Sequence, residues 1–363
     1  MHRAEHLKPD GRRLWLYARH PIALACDAMP VPDATAVVPA SHLRWHPIEG
    51  EWVIYAAHRQ QRPLTVPGTS APNPLAPTLD PARPTELPAG NWDVAVFENR
   101  FPSLSADPGP PPHVTGAEVA PAIGRAEVVV FAQDAQVPLG DLGTDRIALV
   151  LEVIGERTRA LAAQGLRYVL PFENRGPEMG VTLHHPHGQI YAYGFLPGRQ
   201  ARALARLRAH HSLTGRDLVG DIAESALADG VHLLDTAPHA LSLVPPFARF
   251  PFEVWIAPRR PAPDLASLSR DELRDVAAVL GAALGRLDGL WSRPMPYLMT
   301  INQAPTDGEP HPEWTVRIEI WPVRRAADKL KFLAGTELAA GVFAGDMLPE
   351  DAAARLRAVE VRP

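Results

Sequence analysis

The sequence predicts an α+β fold made by internal duplication. Three observations carry that expectation. The order strand, helix, strand, strand occurs twice along the chain. Each copy holds one long segment with apolar residues at three- and four-residue spacing, the stripe of an amphipathic helix. The short runs beside these segments are β-branched and aromatic, as half-buried strands are.

The elements follow in order. Residues 1–45 are mixed and carry no clear period. Residues 52–57 (WVIYAA) are a short β-rich run ending at His58-Arg59-Gln60-Gln61-Arg62-Pro63. Residues 63–90 are dense in Pro, Ala and Thr and read as a loop. Apolar and polar positions alternate over 92–99, the pattern of a strand. Residues 127–131 (EVVVF) open the first copy. Residues 145–164 place Ile147, Val150, Leu151, Ile154, Thr158 and Leu161 on one helical face, and strands at 168–172 and 189–195 complete the unit. The second copy runs through a strand at 252–257, a helix at 271–291, and strands at 297–302 and 315–321. Ser269 with Glu272 predicts a capping box for that helix. Helical patterns at 200–211 and near 221–228 connect the copies, and a last helix starts at Pro349. The expected divisions are an N-terminal extension (1–43), a catalytic half (44–197), a helical connection (198–239) and a second half (240–363).

Composition narrows the function classes. A chain of 363 residues, 46% hydrophobic and 21% charged, suits one large domain or two joined lobes. It has no run of eighteen apolar residues, so no transmembrane helix is expected. Met1-His2-Arg3-Ala4-Glu5-His6 leads into no apolar stretch, so no secretory signal is expected and a cytoplasmic location is. The formal net charge of −5 leaves no electrostatic footprint for nucleic acid. Cys26, the single cysteine, excludes an intramolecular disulfide and a cysteine-rich zinc site. Forty prolines are roughly twice ordinary usage.

The sharpest chemical feature is His184-His185-Pro186-His187-Gly188-Gln189, followed at once by a strand. In an extended segment His185 and His187 project to the same face. Neutral imidazole is a competent nucleophile near pH 7 and can carry a phosphoryl or nucleotidyl group. An amide such as Gln189 can donate to a phosphate oxygen as charge builds on it. Two histidines on one face are also good metal ligands, and a merely packed pair is the third reading. Upstream, residues 172–182 join a strand to the histidines, with Gly176 and Gly180 permitting either an anion-facing loop or a plain turn.

The run His185–Gln189, preceded by Phe172-Glu173-Asn174 and Gly180, resembles the active-site motif of the galactose-1-phosphate uridylyltransferase family, a duplicated branch of the histidine-triad superfamily. Other blocks agree in order. They are residues 51–54 with His58-Arg59 and Arg62-Pro63, then Phe97–Pro102, Phe250–Glu253, Pro296-Tyr297 and residues 329–337 (KLKFLAGTE), so the resemblance covers roughly 44–358. It implies a histidine-triad-like duplicated fold with two antiparallel half-barrel-type sheets and flanking helices. It also implies a ping-pong reaction in which His187 takes a uridylyl group from UDP-glucose and passes it to galactose 1-phosphate. His185 is then expected to position the site. Gln189 and Thr182 are expected on phosphoryl oxygens, Arg59 and Arg62 on phosphate, Asn99 on uridine, and Asn174 and Gly180 beside the nucleophile. Lys331, Phe332, Gly335, Thr336 and Glu337 fall on the block that recognises the sugar phosphate and that, in the family, reaches the partner subunit's site. A homodimer is therefore expected, with a nucleotide sugar and a sugar 1-phosphate as ligands.

The sequence departs from the family at its metal ligands. Asn73-Pro74-Leu75-Ala76 lies where a cysteine pair is usual, and Asp134-Ala135 where a histidine is, so only His185 of that set survives. At the second metal position stand Ala203, Asn302, Arg317 and Glu319, the last two suited to an ion pair. No metal and no other cofactor is expected. An asparagine–arginine pair at Asn99-Arg100 replaces the more usual asparagine followed by an acidic residue.

Overall fold

The computed structural model describes residues 1–35, 40–61 and 73–361. Its core is one eleven-stranded antiparallel sheet. The strands, in chain order, are β1 (His2–Leu7) and β2 (Arg13–Ala18), then β3 (His42–His46) and β4 (Glu51–Tyr55) of a separate small sheet. β5 (Val94–Glu98), β6 (Val119–Pro121) of the small sheet, β7 (Gly124–Val130), β8 (Tyr168–Arg175) and β9 (His187–Tyr193) follow. The second half adds β10 (Leu233–Thr236), β11 (Ala240–Leu243), β12 (Val254–Pro258), β13 (Tyr297–Asn302) and β14 (Arg317–Pro322). Across the main sheet the order is β1-β2-β5-β7-β9-β8-β13-β14-β12-β11-β10.

That order corrects the expectation of two separate sheets. β8 and β13 pair directly, with Phe172 opposite Thr300 and Asn174 opposite Leu298. The join satisfies the backbone groups of two strands that would otherwise be exposed edges. It also makes the order nearly palindromic about the join: β8, β9, β7, β5 and β2 on one side match β13, β14, β12, β11 and β10 on the other.

The helices are α1 (Thr144–Ala162), α2 (Gly198–Thr214), α3 (Leu218–Asp229), α4 (Arg270–Gly289), α5 (Gly335–Ala339) and α6 (Pro349–Arg357). α1 and α4 cover one face of the sheet with the expected stripes. Ile147, Val150, Leu151, Ile154 and Leu161 of α1 share a buried cluster with Val276, Leu280, Leu284 and Leu287 of α4 and with Val129, Ile190, Met299 and Ile320 of the strands. Each such side chain contributes about 1.5–3 kcal/mol on burial. Gly155 lets α1 approach closely: a Cβ there would stand 3.1 Å from the backbone nitrogen of Ala266. The Ser269–Glu272 capping box starts α4, and Pro349 sits in the first turn of α6. α2 and α3 connect the halves.

Strand alternation then assigns the opposite, open face. Because Ile190 and Ala192 point into the helical core, His187, Gln189, Tyr191 and Tyr193 of β9 point away from it. Leu170, Phe172 and Asn174 of β8 and Leu298 and Thr300 of β13 join them there by the same parity. Residues 1–18, unread in the sequence, add the β1–β2 hairpin to the sheet edge. Lys8 is buried in an ion pair with Glu86 at its turn, and Arg12 reaches the same carboxylate at 2.7 Å.

Candidate active site

The open face between β9, β8 and β13 holds a cavity of about 430 Å³. Arg59, Asn174, Gly180, Thr182, His187 and Gln189 line it, so six of the expected site residues are brought together. Tyr191, Tyr193, Phe172, Leu298 and Thr300 also line it, with Leu170, Val181 and Leu183. A second cavity, about 790 Å³, shares His187 and Asn174 and opens toward Arg175, Glu178 and Arg324. His187 stands where the two meet.

Local sequence explains the loop between β8 and β9. Gly176 (φ +93°) and Gly180 (φ +75°) bracket a single helical turn, Pro177–Met179, in backbone conformations that disfavour side chains. Gly188 has a different reason: a Cβ would meet the Phe131 ring at 3.0 Å and the Phe172 carbonyl at 3.1 Å. The glycine lets β9 lie flat between its neighbours while His187 and Gln189 face the cavity.

His187 Nδ1 lies 2.8 Å from the carbonyl oxygen of His185. A carbonyl only accepts, so Nδ1 carries a proton, and in the neutral ring the lone pair is on Nε2. His185 itself is buried, 1% exposed. Its Nε2 donates to the Ala132 carbonyl at 2.8 Å, and its Nδ1 accepts from the Asn73 amide at 3.0 Å. Burial pushes its pKa down, so it stays neutral. Both nitrogens of the ring expected among the catalytic groups are therefore taken up by structural hydrogen bonds, and His185 meets His187 through its backbone oxygen.

A metal does not fit at this position. One ring nitrogen of His185 is a donor to a carbonyl and the other accepts from an amide, so no lone pair is left to ligate. The Asp134 carboxylate accepts from the Gln136 backbone. At the second family position Arg317 Nε sits 2.8 Å from Glu319, a bound cation where a metal would be, and Arg199 reaches the same carboxylate at 3.1 Å.

Arg59 reaches the cavity from a turn, and the expected residues beyond those six are placed elsewhere. Arg59 donates to the Phe101 carbonyl at 2.7 Å and His58 to the Pro102 carbonyl at 2.9 Å, clamping the 57–61 turn onto the segment after β5. Asn99 accepts from the Phe101 amide at 2.9 Å and lines a separate cleft of about 200 Å³ beside Asp10, Arg12 and Arg100. Arg62 lies outside the described residues. Lys331 pairs with Glu337 at 3.3 Å and with the Ala344 carbonyl at 2.7 Å, so the C-terminal block is tied to itself. None of Lys331, Phe332, Gly335, Thr336 and Glu337 lines the cavities at His187, and Phe332 is 75% exposed. The site also holds residues outside the sequence motif. Tyr191 and Tyr193 share the parity of His187 and were within reach of strand alternation. Thr300 and Asn73 depend on long-range pairing that no local pattern carries.

Comparison with known proteins bears on this geometry. Residues 32–197 match the family model described as galactose-1-phosphate uridyl transferase, N-terminal domain, and residues 202–362 match its C-terminal domain. Galactose-1-phosphate uridylyltransferase of Thermotoga maritima is 35% identical over 326 residues, covering 88% of this chain and 98% of the relative. That of Streptomyces lividans is also 35% identical, over 82% of this chain and 79% of its own length. A solved uridylyltransferase superposes with a TM-score of 0.79 at 33% identity, over 87% of this chain and 98% of the other. An ADP-glucose phosphorylase from Arabidopsis thaliana superposes with a TM-score of 0.66 at 23% identity, over 89% and 99%, a likeness of fold alone. With both domains of one family matched in order and a relative spanned almost end to end, the chain belongs to the galactose-1-phosphate uridylyltransferase family.

Proposed function

We propose that this protein transfers a uridylyl group from UDP-glucose to galactose 1-phosphate through a covalent intermediate on His187. The observation that carries the reading is the hydrogen bond from His187 Nδ1 to the His185 carbonyl, which leaves the attacking lone pair on Nε2 at the junction of two cavities. In the first step Nε2 bonds to the α-phosphorus of UDP-glucose, and the bond to the bridging oxygen breaks, releasing glucose 1-phosphate. The imidazolium so formed keeps its Nδ1 proton on the carbonyl, which stabilises the positive ring. In the second step a phosphate oxygen of galactose 1-phosphate attacks the same phosphorus, and the P–N bond breaks to restore the neutral imidazole.

Gln189 and Thr182 would donate to the phosphoryl oxygens, and Arg59, with Arg62, would offset their charge. The aromatic cavity with Tyr191 and Tyr193 suits the nucleoside, with Asn99 beyond it. The cavity with Arg175 and Arg324 suits the sugar phosphate. The exposed Phe332, Leu338 and Val342 near Lys331 and Glu337 support a homodimer in which this block of one protomer completes the other's site. The duplicated strand order and the His-Pro-His motif support a histidine-triad-like fold.

Intact-protein mass spectrometry after incubation with UDP-glucose and no acceptor tests the reading. A uridylyl-sized adduct is expected on the wild type and not on His187→Ala, with turnover reduced by about 10⁴-fold or more in the variant. An adduct from ADP-glucose instead would point to another nucleotide-sugar reaction of the same fold. No adduct from any nucleotide sugar would overturn covalent catalysis.

A further inference from the structure

We propose that Asn73 is a positioning residue for His187, acting through His185, and that its side-chain amide does for this imidazole what a metal ion would otherwise do. The proposal rests on the uridylyl-transfer reading above for its kinetic consequence, though not for its geometry.

The geometry is a chain of four hydrogen bonds whose polarity is fixed at both ends. The Asn73 carbonyl oxygen Oδ1 accepts from the Leu75 backbone N–H at 3.1 Å. The atom facing His185 is therefore the amide nitrogen, a donor, and His185 Nδ1 must accept it. At the far side of the ring the Ala132 carbonyl only accepts, so Nε2 must donate. The two ends demand the same tautomer, although they come from segments about sixty residues apart. The ring thus clamped carries the carbonyl that receives the His187 Nδ1 proton, and Pro186 stiffens the backbone between the histidines.

Asn73 is held for this task. Leu75 is buried with Leu14, Leu16, Phe97 and Val128, which anchors the 73–76 turn, and the Asn73 carbonyl accepts from the Ala76 amide at 3.2 Å. Metal-bound histidines are commonly fixed in tautomer and orientation by the metal on one nitrogen and a backbone carbonyl on the other. Here the carbonyl partner is present and a neutral amide supplies the second contact. No ion has to be acquired, and the arrangement does not depend on a chelatable ligand.

The test uses the full-length protein with ¹⁵N-labelled histidine and two variants. Asn73→Leu is similar in size and donates nothing; Asn73→Asp reverses the polarity of one hydrogen bond. In the wild type the ring ¹⁵N shifts are expected to show His185 protonated on Nε2 and His187 on Nδ1. In Asn73→Leu we expect His187 to lose its single tautomer. Uridylylation by UDP-glucose should slow about 10–100-fold, with KM changed by no more than about twofold. A purely structural role would lower thermal stability without that split between rate and KM. The proposal is overturned by a wild-type His185 protonated on Nδ1, or by folded variants that are uridylylated at the wild-type rate. If neither variant folds, the wild-type spectrum still decides it. A wild type that takes up no uridylyl group would sink the functional reading alone, because the tautomer assignment stands apart from it.

Discussion

The two halves of the sheet carry the same scaffold and opposite chemistry. One register line runs through Val128, Gln189, Phe172, Thr300, Glu319 and Trp255, and the palindromic strand order pairs its members about the β8–β13 join. Gln189 corresponds to Glu319, His187 to Arg317, and Asn174 to Asn302. On the first side these open-face positions line a cavity. On the second they are filled: Arg317, Arg199 and Arg249 converge on the buried Glu319, and Arg199 and Arg249 stack 4.4 and 4.9 Å from Trp321. The Phe250 ring lies parallel to that indole, 5.5 Å away. Duplication supplies the strands and helices. A few open-face residues, and whatever packs over them, decide whether a half encloses a cavity or is filled.

Substitutions at the corresponding positions can break this contrast. The largest effect is expected at Glu319→Gln, which leaves three arginines around a neutral amide. We expect a loss of about 3–5 kcal/mol in unfolding free energy. Uridylylation of the molecules still folded should stay near the wild-type rate, as denaturant titration alongside adduct kinetics would show. A large fall in that rate, with stability intact, would mean the second half takes part in the chemistry.

Gln189→Ala should do the reverse. It is expected to lower the uridylylation rate by about 100-fold, the usual cost of losing one transition-state donor, while the melting temperature changes little. Stopped-flow or quenched adduct formation, read beside a thermal melt, separates the two.

A smaller effect sharpens the boundary between the halves. Glu173 points from β8 into the helical side, where burial raises its pKa from 4.5 to about 7 although Tyr297 of β13 donates to it at 2.9 Å. Between those values the folded chain keeps a proton that the unfolded chain has lost, so stability falls as pH rises from about 4.5 to about 7 and then levels. Glu173→Gln removes this pH dependence. It should be more stable than the wild type at pH 8 by about 3 kcal/mol, and nearly equal to it at pH 4.5. Denaturant curves at the two pH values check the sign.

How far the sequence could be read depends on how local each feature is. The helix stripes, the Ser269–Glu272 cap and the Pro349 start are contained within a few turns, and the structure has them where the pattern put them. β2 escaped because Leu14, Leu16, Trp15 and Tyr17 are all buried, two in each of two clusters on opposite faces of the strand, so no alternation appears. The single sheet escaped because Phe172 meets Thr300 across well over a hundred residues. In the site, His187 and Gln189 were visible as a motif; Asn73 was visible only as a departure from one.

By itself the sequence determined the two-copy order of elements and singled out His187 and Gln189 as a motif, while its expectation that His185 shares a face with His187 fails because the strand begins only at His187. Strand parity and helical spacing are set by neighbours in the chain, so a short window contains them. Only the tertiary structure decided that the copies fuse into one sheet, that Arg317 and Glu319 close one side, and that the lone pair of His187 rests on Nε2. Each of these depends on partners distant in sequence: a pairing register, a converging set of side chains, and a carbonyl whose orientation is held by an asparagine more than a hundred residues away.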